Sequence, residues 1–488
     1  MKKMLRLVAA VLCLIMVFTA VGCSDKGEKT ADGITKLKYV IKLNSQKDLL
    51  TVEAAVNDYI RDKIGAEIEF VRVDSGSYNQ KLKTMLASNE QFDLMYDAIG
   101  HGYVEHARNG ALMPLDELIH EYAPETYALV PEALWEAAKV DGQIYGTMNY
   151  QIIGRKHGFV YDKALVEKYN FDAENARTLQ DIEPYLAAIK ANEGPEWIPF
   201  GALNQGFWAT MLTQTGFDPI VTTTTPGMVR IDDPTNTVFN QFESKEFEDY
   251  CRTMSDFYKK GYIKKDAATI TNAVDVLQMG KTGMIYNNIK PGGQTAASTR
   301  MGGKEVMQVV TADAFANTDF AAATLTVIGK NCKDPVKAMK FIELLNTDKY
   351  LYNLLCFGIE GEHYKKVGEN RVELIPDSGY NPNSAWMWGC QFNAYLLPDQ
   401  DDNVWEETKA LNESARVSNL MGFCFDNTNV KSEIAQCSAV VAEYMPALGT
   451  GAVNWEEKLA EFRAKLKTAG VDTIIAEQSK QIKEWMSK

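Results

Sequence analysis

Three short apolar runs between Leu37 and Tyr96, separated by two helical patterns, leave this chain few folds to choose from. Leu37–Leu43 alternates apolar and polar side chains, as a half-buried strand does. From Leu49 to Ile64 the residues Val52, Val56, Tyr59, Ile60 and Ile64 share one helical face, and Gly65 follows where a left-handed backbone is wanted. Glu67–Val73 reads as a second strand, Ser77 can cap a helix running through Leu86, and Phe92–Tyr96 reads as a third strand. Strand, helix, strand, helix, strand is the order of a parallel α/β sheet joined by right-handed crossovers. Ligands of such sheets sit beyond the carboxyl ends of the strands. Those ends carry Asn44-Ser45, Asp74-Ser75-Gly76 and Asp97.

A single sheet of this kind does not use up 488 residues, and the length predicts two or three domains. The break falls at Val140–Asp162. Asp141-Gly142 predicts a two-residue hairpin turn, because both positions of a type I′ turn need positive φ. Ile144–Gly146 and Gly158–Tyr161 read as strands on either side of a glycine-broken, aromatic passage, which predicts a crossing between two lobes. Further crossings are expected near 314–324 and 361–386. Before the break, Gly110–Asp116 is a loop whose Asp116 can cap a helix, and Trp135 lies within a helix over 131–139, where a core position is expected. Beyond it the pattern restarts: a helix capped by Thr178, a strand over 197–203, a helix opened by Phe207-Trp208, an amphipathic helix over 247–260 and a strand over 281–286. A strand over 321–328 and helices over 336–345 and 349–355 follow.

The N-terminus adds an address. Lys2, Lys3 and Arg6 precede an uncharged apolar stretch from Leu7 to Phe18, which predicts a signal peptide over residues 1–22 rather than a spanning helix. Ala20-Val21-Gly22-Cys23 resembles a bacterial lipobox, with Ala20 where leucine is commonest. The resemblance implies acylation of Cys23, and two or more acyl chains anchor a protein stably to a membrane. Residues 23–35, polar and glycine-bearing, suit a tether. The remaining cysteines, Cys251, Cys332, Cys356, Cys390, Cys424 and Cys437, show no CxxC and no zinc spacing with the five histidines, so no metal site is expected. They permit disulfides and equally permit buried free thiols. A formal charge of −14 argues against a nucleic-acid partner.

Asn331–Leu345, with its KDPVKAMKFIELL helix after a strand, and the NGALMPLDELI and KVDGQIYGTM stretches together resemble bacterial extracellular solute-binding proteins of ABC importers. Gly358–Tyr364, Gly422–Asp426, Val430–Glu433, Gly449–Gly451 and the LKTAGVDTIIAEQSKQIKEW tail resemble the LipO-like lipoprotein branch. Met148-Asn149 stands where the family often has a proline after the crossing strand. The resemblance implies an α/β periplasmic-binding-protein-like fold, two lobes with a hinge and a ligand cleft between them. One lobe is expected to hold residues 36–148 plus about 318–378, the other 149–317 plus about 379–488. It also implies a monomer on the extracellular face of the membrane, serving ABC-transporter permease subunits, without a cofactor.

Sugar capture uses aromatic faces against pyranose rings and a few polar partners for hydroxyls. Trp208, Tyr286, Trp386 and Trp388 stand at element ends or in polar loops, and Tyr150 stands in the crossing. Trp386 and Trp388, two apart in Ser384–Gly389, would point the same way if extended and form a platform. Asp97 can accept hydroxyl hydrogen bonds; Asn44, Asn287 and Lys290 are further candidates, while Glu360 and Glu362 match family positions and can equally order the return between lobes. Each ring or polar group also has a plain structural reading, in the core or in solvent. Several patterns are decoys. Gly280-Lys281-Thr282 lacks the first glycine of a phosphate loop, since Asp275 occupies it, and His101 and His106 are not i, i+4. No GxSxG or HExxH occurs, so no catalytic residue is assigned. The expectation is a lipid-anchored receptor for a solute, an oligosaccharide in the first instance. A receptor of the same fold for peptides or other solutes, and a surface carbohydrate-active enzyme or adhesion protein, are the alternatives.

Overall fold

The computed structural model describes residues 33–487. The signal segment, Cys23 and most of the tether lie outside the described residues. Ten strands build two five-stranded sheets: β1 (Thr35–Lys42), β2 (Ala66–Val73), β3 (Leu94–Asp97), β4 (Gly146–Met148), β5 (Arg155–Asp162), β6 (Ile198–Phe200), β7 (Thr282–Ile289), β8 (Val306–Ala316), β9 (Leu325–Ile328) and β10 (Arg416–Val417). The first sheet has the order β2-β1-β3-β9-β4 and the second β10-β8-β5-β7-β6.

In the first sheet β1 runs parallel to β2 and β3, and β9 runs antiparallel to β3 and β4. The helices Leu49–Ile64 and Tyr78–Ala87 make the two crossovers. The first buries Val52, Val56 and Ile60 and stops at Gly65, whose φ of 63° lets its N–H reach the Arg61 carbonyl. Ser77 precedes the second helix but makes no side-chain cap. Asp141 and Gly142 take φ of 49° and 88°, as the hairpin turn requires, between the paired strands Lys139–Val140 and Gln143–Ile144. Asp116 does not cap its helix. It is the first helical residue, and its carboxylate accepts the Ile144 N–H at 3.2 Å, fastening that hairpin to the helix.

The second sheet is mixed, with β5 antiparallel to β7 and β8. Its core gathers Phe159, Tyr161, Phe200, Phe247 and, from the C-terminal helices, Phe462 and Ile474. The first core gathers Tyr39, Ile41, Phe341 and Trp388, with Trp135 buried as expected of a core position. A small third cluster joins Val229, Leu420, Phe423 and Ile482. Each large apolar side chain so buried stabilises the fold by about 1.5–3 kcal/mol.

The chain passes between sheets at 149–154, from β4 to β5, and at 317–324, from β8 to β9. The third passage comes later than expected. Tyr380, Met387, Trp388, Cys390 and Ala394 pack in the first core, and the chain returns to the second sheet through the helix Val404–Ser414 and β10. A break at 379 therefore assigns to the second lobe a segment whose apolar side chains fill the first.

The first passage is clamped by the third. Asn412 accepts the N–H groups of Ile153 and Gly154 through Oδ1 at 2.8 and 3.0 Å and donates to the Gln151 carbonyl at 2.7 Å. Asn149 explains the missing proline. Its N–H donates to the Thr324 carbonyl, its amide donates to the Met387 carbonyl at 2.7 Å, and its Oδ1 accepts from Thr326 at 2.9 Å. Proline has neither the N–H nor the side chain to make these bonds. The six cysteines are free thiols, four of them buried.

Candidate functional site

A cavity of about 750 Å³ opens beyond the carboxyl ends of β1 and β3, the place the sheet topology designates. Lys42, His101 and Trp386 line it from the first lobe, Gln151 from the first passage and Arg155 from the start of β5. Phe320 joins from the second passage, and Asp218 from a short strand, Phe217–Pro219, on the second-lobe side. The segment 418–427 closes it from the C-terminal region. Its volume suits a ligand of several rings, given that small-molecule sites span roughly 300–1,000 Å³.

Trp386 sits in a 3₁₀ turn, Ala385–Met387. Its half-buried ring packs edge-on to Tyr96 at 5.6 Å, and the Lys42 ammonium lies 6.0 Å from its centroid. The same turn overturns the platform expected of Trp386 and Trp388. In a 3₁₀ turn side chains two apart do not share a face, so Trp388 points into the first core, fully buried between Tyr39 at 6.0 Å and Phe70 at 5.8 Å.

Most of the other expected residues are structural. Asp97 is wholly buried at the end of β3. One carboxylate oxygen meets His106 Nδ1 at 2.8 Å and the other accepts the Ala98 N–H, while burial raises its pKa against the His106 contact. Tyr150 packs edge-on against Phe392 at 5.0 Å in the first core. Trp208 is buried against Phe247 and Tyr250, and its indole N–H has no partner among the described residues. Tyr286 is buried against Phe159, with its hydroxyl 3.1 Å from Thr311 Oγ1 and its pKa pushed up to about 12 by burial. Asn44 is exposed and accepts the Ser75 N–H at 3.3 Å. Asn287 is half-buried on β7 and Lys290 is exposed just past its end. Of the expected set, only Trp386 reaches this cavity. The aromatic-at-an-element-end criterion fails because the two cores use the same rings at the same places.

The polar groups that do line the cavity were missed. Lys42 ends β1, partly desolvated so that its pKa falls, and lies 3.4 Å from His101 Nε2. Burial, followed by the charge of Lys42, pushes His101 down to about 4, so the ring is neutral at pH 7. Arg155 opens β5 with its guanidinium 4.2 Å over the Phe320 ring. Gln151 donates to Thr324 Oγ1 at 2.8 Å. Asp218 accepts from Ser418 Oγ at 2.5 Å and Asn317 Nδ2 at 3.1 Å, and burial lifts its carboxyl to about 6. Arg155 carried a readable signal, since with Lys156 it puts two cations at the mouth of a strand that is otherwise buried. Asp218 carried none, and Gly422–Asp426 carried only a family likeness, because their approach to the cavity depends on the tertiary fold. Among the described residues no group of three or more His, Cys, Asp or Glu side chains is placed to hold a metal ion.

An aromatic face, ammonium, guanidinium and amide donors and a carboxylate acceptor are groups able to contact a polyhydroxylated ring from several sides. The family described as bacterial extracellular solute-binding protein matches residues 44–351. The chain belongs to that family, the solute-binding proteins of ABC importers. Residues 419–487 match a domain of unknown function. A carbohydrate ABC transporter substrate-binding protein of Streptococcus pneumoniae is 27% identical over 440 residues, 89% of this chain and 87% of the relative. Lipoprotein LipO of Bacillus subtilis is 21% identical over 71% of this chain and 72% of its own. Among solved structures, the N-glycan transport solute binding protein NgtS from Streptococcus pneumoniae is 25% identical and covers 93% of this chain and 99% of its own, with a TM-score of 0.80. The same protein in complex with Man1GlcNAc and with Man5GlcNAc gives 0.68 and 0.65. The expected two-lobed α/β fold and the solute-binding role are both borne out.

Proposed function

We propose that this protein captures an oligosaccharide between its lobes, without chemical change to it, and presents it to the permease of an ABC importer. The observation that carries the reading is the cavity itself. Trp386 offers a ring face on the first-lobe side, Arg155 and Gln151 offer donors at the passages, and Asp218 offers an acceptor on the second-lobe side. A ligand that touches all of them favours one angle between the lobes, and that difference in affinity drives closure. The lower TM-scores against the glycan complexes of NgtS, at unchanged identity, support a change in the angle between rigid lobes. The relatives' names make mannose- and N-acetylglucosamine-containing fragments the first ligands to try.

Titration calorimetry of the mature protein against Man1GlcNAc, Man5GlcNAc and a set of plant and bacterial oligosaccharides tests this. Binding of one class with the sugar recovered intact supports the receptor. A flat response to every glycan refutes it, and shortened products would reveal a hydrolase instead. Cys23 is proposed to hold the protein at the outer face of the membrane, and Cys23→Ser should then release it into the medium with no incorporation of labelled palmitate. Retention of that variant at the cell surface would refute the anchor.

A further inference from the structure

The segment Ser418–Asn427 stands at the head of the region, 419–487, that matches a domain of unknown function. It is tied to every part of the molecule that meets at the cleft. The Ser418 N–H donates to the Ala316 carbonyl at the end of β8, and the Ser418 hydroxyl donates to Asp218 on the second-lobe side. Thr318, in the second passage, donates to the Leu420 carbonyl at 3.1 Å and accepts the Gly422 N–H at 2.9 Å. On the first-lobe side Met421 is buried in that lobe's core. Gly422 comes so close to Glu136 that an added Cβ would lie 2.7 Å from the Glu136 carbonyl oxygen, at a φ of 86°.

The C-terminal helix Val471–Met486 holds the segment from behind. Phe423 packs edge-on to Trp485 at 5.6 Å, and Gln481 exchanges two hydrogen bonds with the Asp426 backbone, at 2.9 and 2.8 Å. These anchors fix the backbone, and of the side chains the segment sends to the cavity, two suit a sugar. Phe425 and Asn427 line it and are half-buried. Phe425 also borders the second and third apolar clusters, which fixes its ring, and the Asn427 amide makes no hydrogen bond within the described residues. A fixed ring face and a free amide on one wall are the groups that carbohydrate recognition uses.

We propose that this strap is part of the ligand-binding surface, with Phe425 stacking on a pyranose face and the Asn427 amide bonding a ring hydroxyl. The C-terminal region thereby acts as a specificity element of the receptor as well as a buttress of the second lobe. The inference rests on the oligosaccharide reading above, and one experiment separates the two. The mature full-length protein, Phe425→Leu and Asn427→Ala are titrated with the glycan that the wild type binds most tightly in the panel, and their thermal unfolding is recorded alongside.

Leucine keeps the apolar packing and removes the ring face, so Phe425→Leu should lose about 3- to 10-fold in affinity at an unchanged unfolding temperature. Asn427→Ala should lose a similar factor. Wild-type binding together with variant affinities within twofold of it overturns the strap assignment and leaves the receptor standing. A fall in affinity seen only where the unfolding temperature also falls in both variants makes the strap a buttress alone and overturns the assignment. A wild type that binds no glycan removes the oligosaccharide reading, and this inference with it.

Discussion

Replacing Trp388 by alanine empties a site that is wholly buried between Tyr39 and Phe70. Truncation of a buried tryptophan costs about 3–5 kcal/mol through lost transfer energy and the cavity left behind. Here the indole N–H has no partner among the described residues. Such a buried donor costs roughly 1–3 kcal/mol, which its removal returns, so the net loss is expected at about 2 kcal/mol. Trp388→Phe removes the orphan donor while keeping an aromatic ring, and should cost well under half as much. Trp386→Ala, two residues away, acts on the half-buried ring that lines the cavity. Its unfolding should stay within about 1 kcal/mol of wild type, while affinity for the bound glycan falls by roughly 3- to 10-fold. Urea unfolding followed by circular dichroism measures the first quantity and calorimetric titration the second. The reasoning fails if Trp388→Ala unfolds at the wild-type midpoint and loses ligand, because the ring then belongs to the site. It fails equally if Trp386→Ala binds as wild type does, because the ligand then lies elsewhere.

Asn412→Ala strips the acceptor from two buried N–H groups of the first passage, at a cost of about 1–3 kcal/mol. Hydrogen exchange at Ile153 and Gly154 should accelerate more than elsewhere, and uniform protection across 149–154 would disprove the clamp. Asp218 predicts a pH effect. Its folded pKa of about 6 exceeds its ordinary 3.8, so its contribution is fully present below about pH 4 and is lost as pH rises through 6. His101 and His157, each pushed down to about 4 by burial, tilt the wild-type curve the opposite way, so the informative quantity is the difference from Asp218→Asn. That difference should move by roughly 2.4 kcal/mol in favour of the asparagine variant between pH 4 and pH 7. Parallel unfolding curves for the two proteins would show a carboxyl with an ordinary pKa.

The fold was legible wherever local chemistry dictates geometry. The apolar face of Leu49–Ile64, the Gly65 stop and the Asp141-Gly142 turn were each read from sequence and found in place. The first passage was legible too, since a glycine-broken stretch between two strands has few uses. What was not legible is which face a loop residue shows. Trp386 and Trp388 look equivalent in an extended chain, and a single 3₁₀ turn sends one to the cavity and the other to the core. Asp97 ends the strand that topology points to, yet His106 and the Ala98 N–H claim both its oxygens. Asp218, Ser418 and Asn317 come from three distant segments, and no periodicity or motif links them.

The late return of the chain to the first core bears on how the molecule can be made. Leu37 and Trp388 belong to one core, and Phe159 and Ile474 to the other. A chain threaded through a membrane from its N-terminus delivers each core in halves, and neither is whole until the C-terminal region emerges. Over that interval the apolar faces of β1 and β5 have no final partners, the state in which growing chains aggregate. Secretion of this protein should therefore be sensitive to any delay or truncation near its C-terminus, out of proportion to the few core residues lost.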